Sequence, residues 1–262
     1  MPRSISVVVL LLSLLFTGCA TSAQAQKDAA TRDTFANPID VLIADPSIYR
    51  EGDTYYLYGT AANDGLLVWT SKDLVDWQLR GYAWKRSRDT WGRSFFWAPE
   101  LFKHKGKYYL HYTALSANRE RRIVLAEGDS PLGPFKEKMA PWWDPKNSVI
   151  DSHVFKDDDG RMYLYAVYTP DSLRGTFQIR VHTLDDQLHP SKESTLCITP
   201  KHEWEGGMVN EGPFVIKHNG YYLLTYSFNG FQDPNYSVGI AWAKSPTGPW
   251  NKTAEGPILK RI

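Results

Sequence analysis

The sequence predicts an all-β chain of the β-propeller type. Three observations carry that reading. A hairpin frame recurs four times, each copy is followed by a further apolar run and a similar turn, and Gly and Pro interrupt the chain too often for helices. In each copy a head residue opens an apolar strand, a Gly-containing turn follows, and a second, aromatic-rich strand returns. That is hairpin chemistry by turn residues and β propensity. The heads fall at residues 45, 98, 151 and 211, so the steps are 53, 53 and 60 residues. Units of this length built only from strands are the signature of propeller blades.

Taken in order, the chain of 262 residues opens on a targeting segment. Arg3 supplies the positive end, Ile5 to Phe16 form an apolar run broken by Ser6 and Ser13, and the small residues Thr17-Gly18-Cys19 follow. This resembles a bacterial lipoprotein signal of residues 1–19, with Cys19 acylated as the mature N-terminus, although Phe16 stands where that pattern prefers Leu. Ala23-Gln24-Ala25 offers an ordinary signal-peptidase site instead; either reading exports the chain to a periplasmic or cell-surface location. Residues 20–36, rich in Ala, Thr, Ser and Gln, read as a flexible tether, and residues 37–262 as the propeller domain. With Cys19 taken by lipid, Cys197 is left as a small buried hydrophobe.

The first unit runs from Asp45-Pro46-Ser47-Ile48-Tyr49 to Tyr55-Tyr56-Leu57-Tyr58. The second runs from Ala98-Pro99-Glu100-Leu101-Phe102 to Tyr108-Tyr109-Leu110. The third runs from Asp151-Ser152-His153-Val154-Phe155 to Met162-Tyr163-Leu164-Tyr165, and the fourth from Glu211-Gly212-Pro213-Phe214 to Tyr221-Tyr222-Leu223-Leu224-Thr225-Tyr226. Further strands follow at Leu66–Thr70, Ile123–Ala126, Phe177–Val181 and Val238–Trp242. Similar turns close three units: Ser71-Lys72-Asp73-Leu74, Ser130-Pro131-Leu132-Gly133-Pro134 and Ser245-Pro246-Thr247-Gly248-Pro249. A formal net charge of +1 argues against a dedicated nucleic-acid surface, and no apolar run after the N-terminus is long enough to span a bilayer, so the only membrane contact expected is a lipid anchor. Oligomeric state is not legible.

The motifs Ala44-Asp45-Pro46-Ser47-Ile48, Trp97-Ala98-Pro99-Glu100, Ile150-Asp151-Ser152-His153-Val154-Phe155 and Glu211-Gly212-Pro213-Phe214 stand in the order and spacing of family 43 of the glycoside hydrolases, which this chain resembles from residue 37 to about 256. That family contains β-xylosidases, α-arabinofuranosidases, arabinanases and galactan-cleaving enzymes. The resemblance implies a five-bladed propeller with a funnel-shaped site on its axis. It implies Asp45 as general base, Glu211 as general acid and Asp151 as the third carboxylate, which orients and tunes the acid. The substrate would be an oligosaccharide or polysaccharide of plant type carrying pentosyl groups.

The chemistry is coherent apart from the name. Equivalent strand heads of a propeller cluster around its axis. A glycosidic bond needs one protonated and one ionised carboxyl group on opposite sides of the sugar, which heads of different blades can supply. A third carboxylate would raise the pKa of the acid by like-charge repulsion. An inverting pair is expected roughly 6.5–9.5 Å apart, with Asp151 nearer to Glu211 than Asp45 is. Trp97 reads as a stacking platform or as core; His153 reads as a polar substrate contact or a support for one. Asn210 and Tyr226 are candidates for sugar hydroxyls. Asp157-Asp158-Asp159-Gly160 lacks the bidentate Glu of an EF-hand loop and falls at a hairpin turn, and His202-Glu203-Trp204-Glu205-Gly206 is not a zinc-protease motif.

Four full blades and an open ring are therefore expected, the fifth blade of the family being absent from the 51 residues that follow Glu211. No cofactor is required. The family implies an axial calcium held mainly through water and a fifth-blade His, so no tight metal site is expected from these residues. The contrasting reading is a non-catalytic glycan-binding lipoprotein on the same scaffold, against which the three retained carboxylates argue.

Overall fold

The computed structural model describes residues 40–170 and 175–260. The signal segment, Cys19 and the tether lie outside the described residues.

Each unit folds as an antiparallel meander of four strands. The first sheet holds β1 (Ala44–Glu51), β2 (Thr54–Thr60), β3 (Gly65–Ser71) and β4 (Gln78–Lys85); the second holds β5 (Ser94–His104), β6 (Lys107–Leu115), β7 (Arg121–Gly128) and β8 (Lys136–Met139). The third holds β9 (Val149–Lys156), β10 (Met162–Tyr168), β11 (Gln178–Leu184) and β12 (Thr195–Ile198). The fourth holds β13 (Asn210–His218), β14 (Tyr221–Phe228), β15 (Ser237–Ala243) and β16 (Asn251–Lys252), with β17 (Leu259–Lys260) also pairing with β15. A single 3-10 turn, Glu203–Glu205, interrupts the connection from β12 to β13. The hairpin turns fold as their residues dictate: Lys105-Gly106 and Asn219-Gly220 both have positive φ, the paired left-handed geometry that matches strand twist.

The core lies between the sheets. On β6, Tyr108, Leu110 and Tyr112 pack with Tyr58, Leu66 and Val68 of the first blade, while Tyr109 packs with Met162 and Leu164 of the third. On β10, Tyr163, Tyr165 and Val167 turn to Leu224, Tyr226 and Phe228 of the fourth. The period-two alternation of a strand thus serves two neighbours, so β6 and β10 are apolar on both faces. Strand β14 buries only one face: Tyr222, Leu224, Tyr226 and Phe228 point to the third blade. On its other face, together with β13 and β15, stand Phe214, Ile216, Tyr221 and Trp242, all exposed. Cys197 is buried and free, as expected of a small hydrophobe.

Two joints are fastened alike. Tyr58 donates to the carbonyl of Pro131 in the second blade, and Tyr165 donates to that of Pro246 in the fourth, at 2.5 Å. Glu51 pairs with Lys103 at 2.6 Å and accepts from Tyr108; Asp157 pairs with Lys217 at 2.7 Å and accepts from Tyr222 at 2.6 Å. The acidic turn that superficially suggested calcium is therefore a clasp between blades. At the joint of the second and third blades the equivalent positions hold His104, Lys156 and Met162, which cannot make it; there Trp142 Nε1 donates to Leu188 O at 2.6 Å.

Among the described residues the four sheets share no ladder hydrogen bonds. Inner strands of successive blades lie side by side from β1 to β5, β5 to β9 and β9 to β13, but among the described residues β13 makes no comparable approach to β1. Strand pairing also corrects one register. All four inner strands carry a bulge at the head, between Ala44 and Ser47, Trp97 and Glu100, Ile150 and His153, and Glu211 and Phe214. The residue after the first of each pair has positive φ: Asp45, Ala98, Asp151 and Gly212. Glu211 is therefore not the fourth head but stands one residue before it, level with Ala44, Trp97 and Ile150, and the last step between heads is 61 residues.

Candidate active site

The bulged heads converge on a cavity of about 250 Å³. Asp45, Asp151 and Glu211 line it together with Glu100, Ser47, Ser152, Ser227 and Tyr236 among the polar groups. A left-handed backbone at Asp45 and Asp151 is unusual for residues with a side chain, and Asp is one of the few that tolerates it. Hydroxyls from second strands hold these heads. Thr60 Oγ1 donates to Asp45 Oδ2 at 2.5 Å and accepts the N–H of Ala98 at 3.0 Å; Thr113 Oγ1 accepts the N–H of Asp151 at 3.0 Å. On β10 the corresponding residue is Val167, and the N–H of Gly212 turns instead to Asp151 Oδ2 at 3.3 Å. Asp151 thereby touches the residue that follows Glu211.

The carboxyl groups are unequal. Glu211 is pushed up to about 7, chiefly by withdrawal from water; a hydrogen bond from Tyr236 at 3.1 Å pulls the other way, and the charge of Asp45 adds to the rise. Asp151 is raised well above the usual carboxylate range by burial first, then by the charges of Glu211 and Asp45. Asp151 and Glu211 repel each other as like charges, and Asp45 repels both. Asp151 also meets the chain beside the acid, through the N–H of Gly212.

The four further candidates lie off the cavity lining. Asn210 is fully buried, bonded to Glu205 and Lys252, because residues 210 and 211 point to opposite faces of β13. Tyr226 lies on the buried face of β14, under the Lys252 ammonium, while its neighbour Ser227 reaches the cavity. Both are corrected as direct sugar contacts. His153 is buried, its Nδ1 at 2.8 Å from Glu100 and its Nε2 at 3.3 Å from Val215 O, so it supports Glu100 rather than facing a ligand. Trp97 is half-buried and stacks on exposed Phe95 at 4.6 Å.

Reasoning from sequence missed Tyr236, Glu100 and Ser227. Glu100 stood within a motif already singled out, and Ser227 occupies the register of Thr60 and Thr113, a signal readable from the frame. Tyr236 lies in a loop outside the frame and gave none. Among the described residues no group of three or more His, Cys, Asp or Glu is placed to hold a metal. The imidazole of His153 has both nitrogens engaged, by Glu100 and by Val215 O, and offers neither to an ion.

Comparison with known proteins agrees with this architecture. The model of "Glycosyl hydrolases family 43" matches residues 35–261. A non-reducing end alpha-L-arabinofuranosidase of Bacteroides ovatus is 29% identical over 97% of this chain and 46% of its own length. An extracellular exo-alpha-(1->5)-L-arabinofuranosidase of Cellvibrio japonicus is 25% identical over 80% of this chain and 66% of its own, so the chain spans between about half and two thirds of these two relatives. Among solved structures, a thermostable family-43 glycoside hydrolase superposes with a TM-score of 0.83 at 41% identity, covering 87% of this chain and 77% of that one. An endo-1,4-beta-xylanase of Bacteroides thetaiotaomicron gives 0.74 at 36% identity over 83% of this chain and 74% of its own. With the family model matched along nearly the whole chain and three carboxyl groups gathered where four blades converge, this chain belongs to family 43 of the glycosyl hydrolases.

Proposed function

We propose that this chain is an inverting glycosidase that removes arabinofuranosyl, xylosyl or related groups from plant-type polysaccharides or their oligosaccharides. The observation that carries the proposal is the pairing, in one cavity, of a carboxyl raised to about 7 with exposed Asp45 held by a hydroxyl. Glu211, protonated near neutral pH, gives its proton to the leaving oxygen. Asp45, oriented by Thr60, takes a proton from water attacking the opposite face of the anomeric carbon. Asp151 orients the strand that carries the acid through its contact with Gly212. Trp97, with Phe95, supplies an aromatic surface for a sugar ring. The pentosyl preference is drawn from the names of relatives, which include arabinofuranosidases and a xylan 1,3-beta-xylosidase of a Vibrio species.

Two features of the whole protein belong to the same reading. The scaffold is that of a five-bladed propeller. The exposed apolar face of the fourth sheet suits a further blade, and Ser227 stands where Thr60 and Thr113 receive the head of the next one. The protein is exported, in keeping with relatives named as extracellular, and the signal pattern that ends at Cys19 makes it lipid-anchored through that residue.

A panel of nitrophenyl pentosides and hexosides tests the proposal, with Asp45→Ala and Glu211→Ala as controls. Turnover of a pentoside that both substitutions abolish is the expected result. Glycan binding without turnover by the unaltered chain would replace the enzyme with a binding protein.

A further inference from the structure

Directly behind the acid lies a buried polar knot that the reaction itself does not use. It joins three segments of the fourth blade: the 3-10 turn before β13, the first residue of β13, and β16. Glu205 is wholly buried and Lys252 nearly so. One Glu205 oxygen accepts the N–H groups of Lys201 and His202, each at 2.8 Å; the other pairs with the Lys252 ammonium and accepts from Asn210 Nδ2 at 3.2 Å. Lys252 also donates to Asn210 Oδ1 at 2.6 Å and to Thr199 O at 2.7 Å, and sits 4.6 Å from the centre of the Tyr226 ring. Four donors converge on Glu205, so the group they satisfy is a carboxylate.

A buried ion pair of this kind contributes little that a well-packed apolar cluster could not, so stability alone is a weak reason for it. Its position suggests another. Asn210 directly precedes Glu211, and because successive strand residues face opposite ways, the Asn210 amide is a handle on the back of the acid. Both ends of that amide are held, its oxygen by Lys252 and its nitrogen by Glu205 and the carbonyl of Val209. The strand cannot rotate or slide at this point without breaking bonds that have no access to water.

We propose that Glu205, Asn210 and Lys252 are positioning residues for the reaction, fixing the direction in which Glu211 presents its carboxyl to the leaving oxygen. This rests on the reading of Glu211 as the general acid.

The test uses leaving groups. With the sugar found in the panel, a phenyl glycoside needs protonation of its oxygen, whereas a 2,4-dinitrophenyl glycoside departs without it. Asn210→Ala should lower kcat for the phenyl substrate about tenfold or more, within the range general acid catalysis supplies. It should leave kcat for the dinitrophenyl substrate within about threefold and KM nearly unchanged, since neither depends on the proton of the acid. A double variant, Glu205→Gln with Lys252→Met, removes both charges together, leaves none unpaired, and should show the same split. It also serves if Asn210→Ala does not fold. Equal losses on both substrates would make the knot merely structural and overturn the proposal, as would no loss on either. Glu211→Ala is the separate control. If it shows no split of its own, the acid assignment fails first, and the proposal falls with it.

Discussion

Tyr236→Phe gives a sharp test of how the cavity sets its acid. The hydroxyl of Tyr236 donates to Glu211 Oε1 at 3.1 Å, and that bond favours the ionised carboxyl. A hydrogen bond to a charged group contributes about 1.5–3 kcal/mol, and at the long end of the usual distance the lower figure applies. Dividing by about 1.36 kcal/mol per unit gives a shift of about one pKa unit. The sign is fixed: removing a donor to the carboxylate leaves the protonated form more favoured, so the carboxyl moves from about 7 upward. Because the acid works when protonated, the basic limb of the kcat/KM profile should move about one unit to higher pH, and kcat/KM reports the free enzyme. A stopped assay on a phenyl pentoside across pH 5 to about 10 reads it directly. A limb that stays in place, or moves to lower pH, refutes the reasoning.

The raised Glu211 should also be visible in stability. Its folded-state pKa lies above the ordinary carboxylate value, so the folded protein binds the extra proton between about 4.5 and 7 and stability falls as pH rises through that window. Glu211→Gln should therefore stabilise the protein at pH 8, by up to about 3 kcal/mol, and change little at pH 4; an equal effect at both, in denaturant titrations, would contradict this. Asp157→Ala takes from Tyr222 its acceptor and from Lys217 one of two carboxylate partners, Asp158 remaining at 2.8 Å, and should cost about 1–2 kcal/mol, the loss of hydrogen bonds to a charged group rather than of a whole ion pair. Chemical denaturation measures it, and a cost below about 0.5 kcal/mol, the size of an ordinary surface change, would mean the clasp is ornamental. Proton NMR of the first-formed sugar should show inverted configuration; retention would turn Asp45 into a nucleophile and require a separation of about 5–5.5 Å.

Much of this was legible in the sequence because blades repeat. Frame heads, Gly-bearing turns and aromatic second strands placed all four sheets, and the carboxylates Asp45 and Asp151 followed from the frame. What the frame could not show was the conformational register of the fourth head. Glu211-Gly212-Pro213 and Asp45-Pro46 align by eye on their acids, yet strand pairing aligns Gly212 with Asp45. That single-residue offset also decided the neighbours: it sends Asn210 into the blade interior and leaves Tyr226 behind it, when proximity in sequence suggested sugar contacts for both. Tyr236 escaped because it lies in the loop from β14 to β15, where no period constrains the chain. Its contact with Glu211 spans 25 residues within the fourth blade, and a local pattern carries no trace of it.

The two matching clasps give the molecule a unit of cooperativity larger than the blade. Blades one and two are bound by Tyr58 and the Glu51–Lys103 pair, blades three and four by Tyr165 and the Asp157–Lys217 pair, while the middle joint has neither and is held by Trp142 on Leu188 O, Glu100 on His153 and Thr113 on the N–H of Asp151. Elements joined this way open together in amide exchange, so the chain should exchange as two halves meeting between β8 and β9. The reactive groups straddle that seam, with Asp45 in one half and Asp151 and Glu211 in the other. Any loosening at the seam therefore separates base from acid before either half begins to unravel, and inactivation on mild heating should run ahead of the loss of β structure.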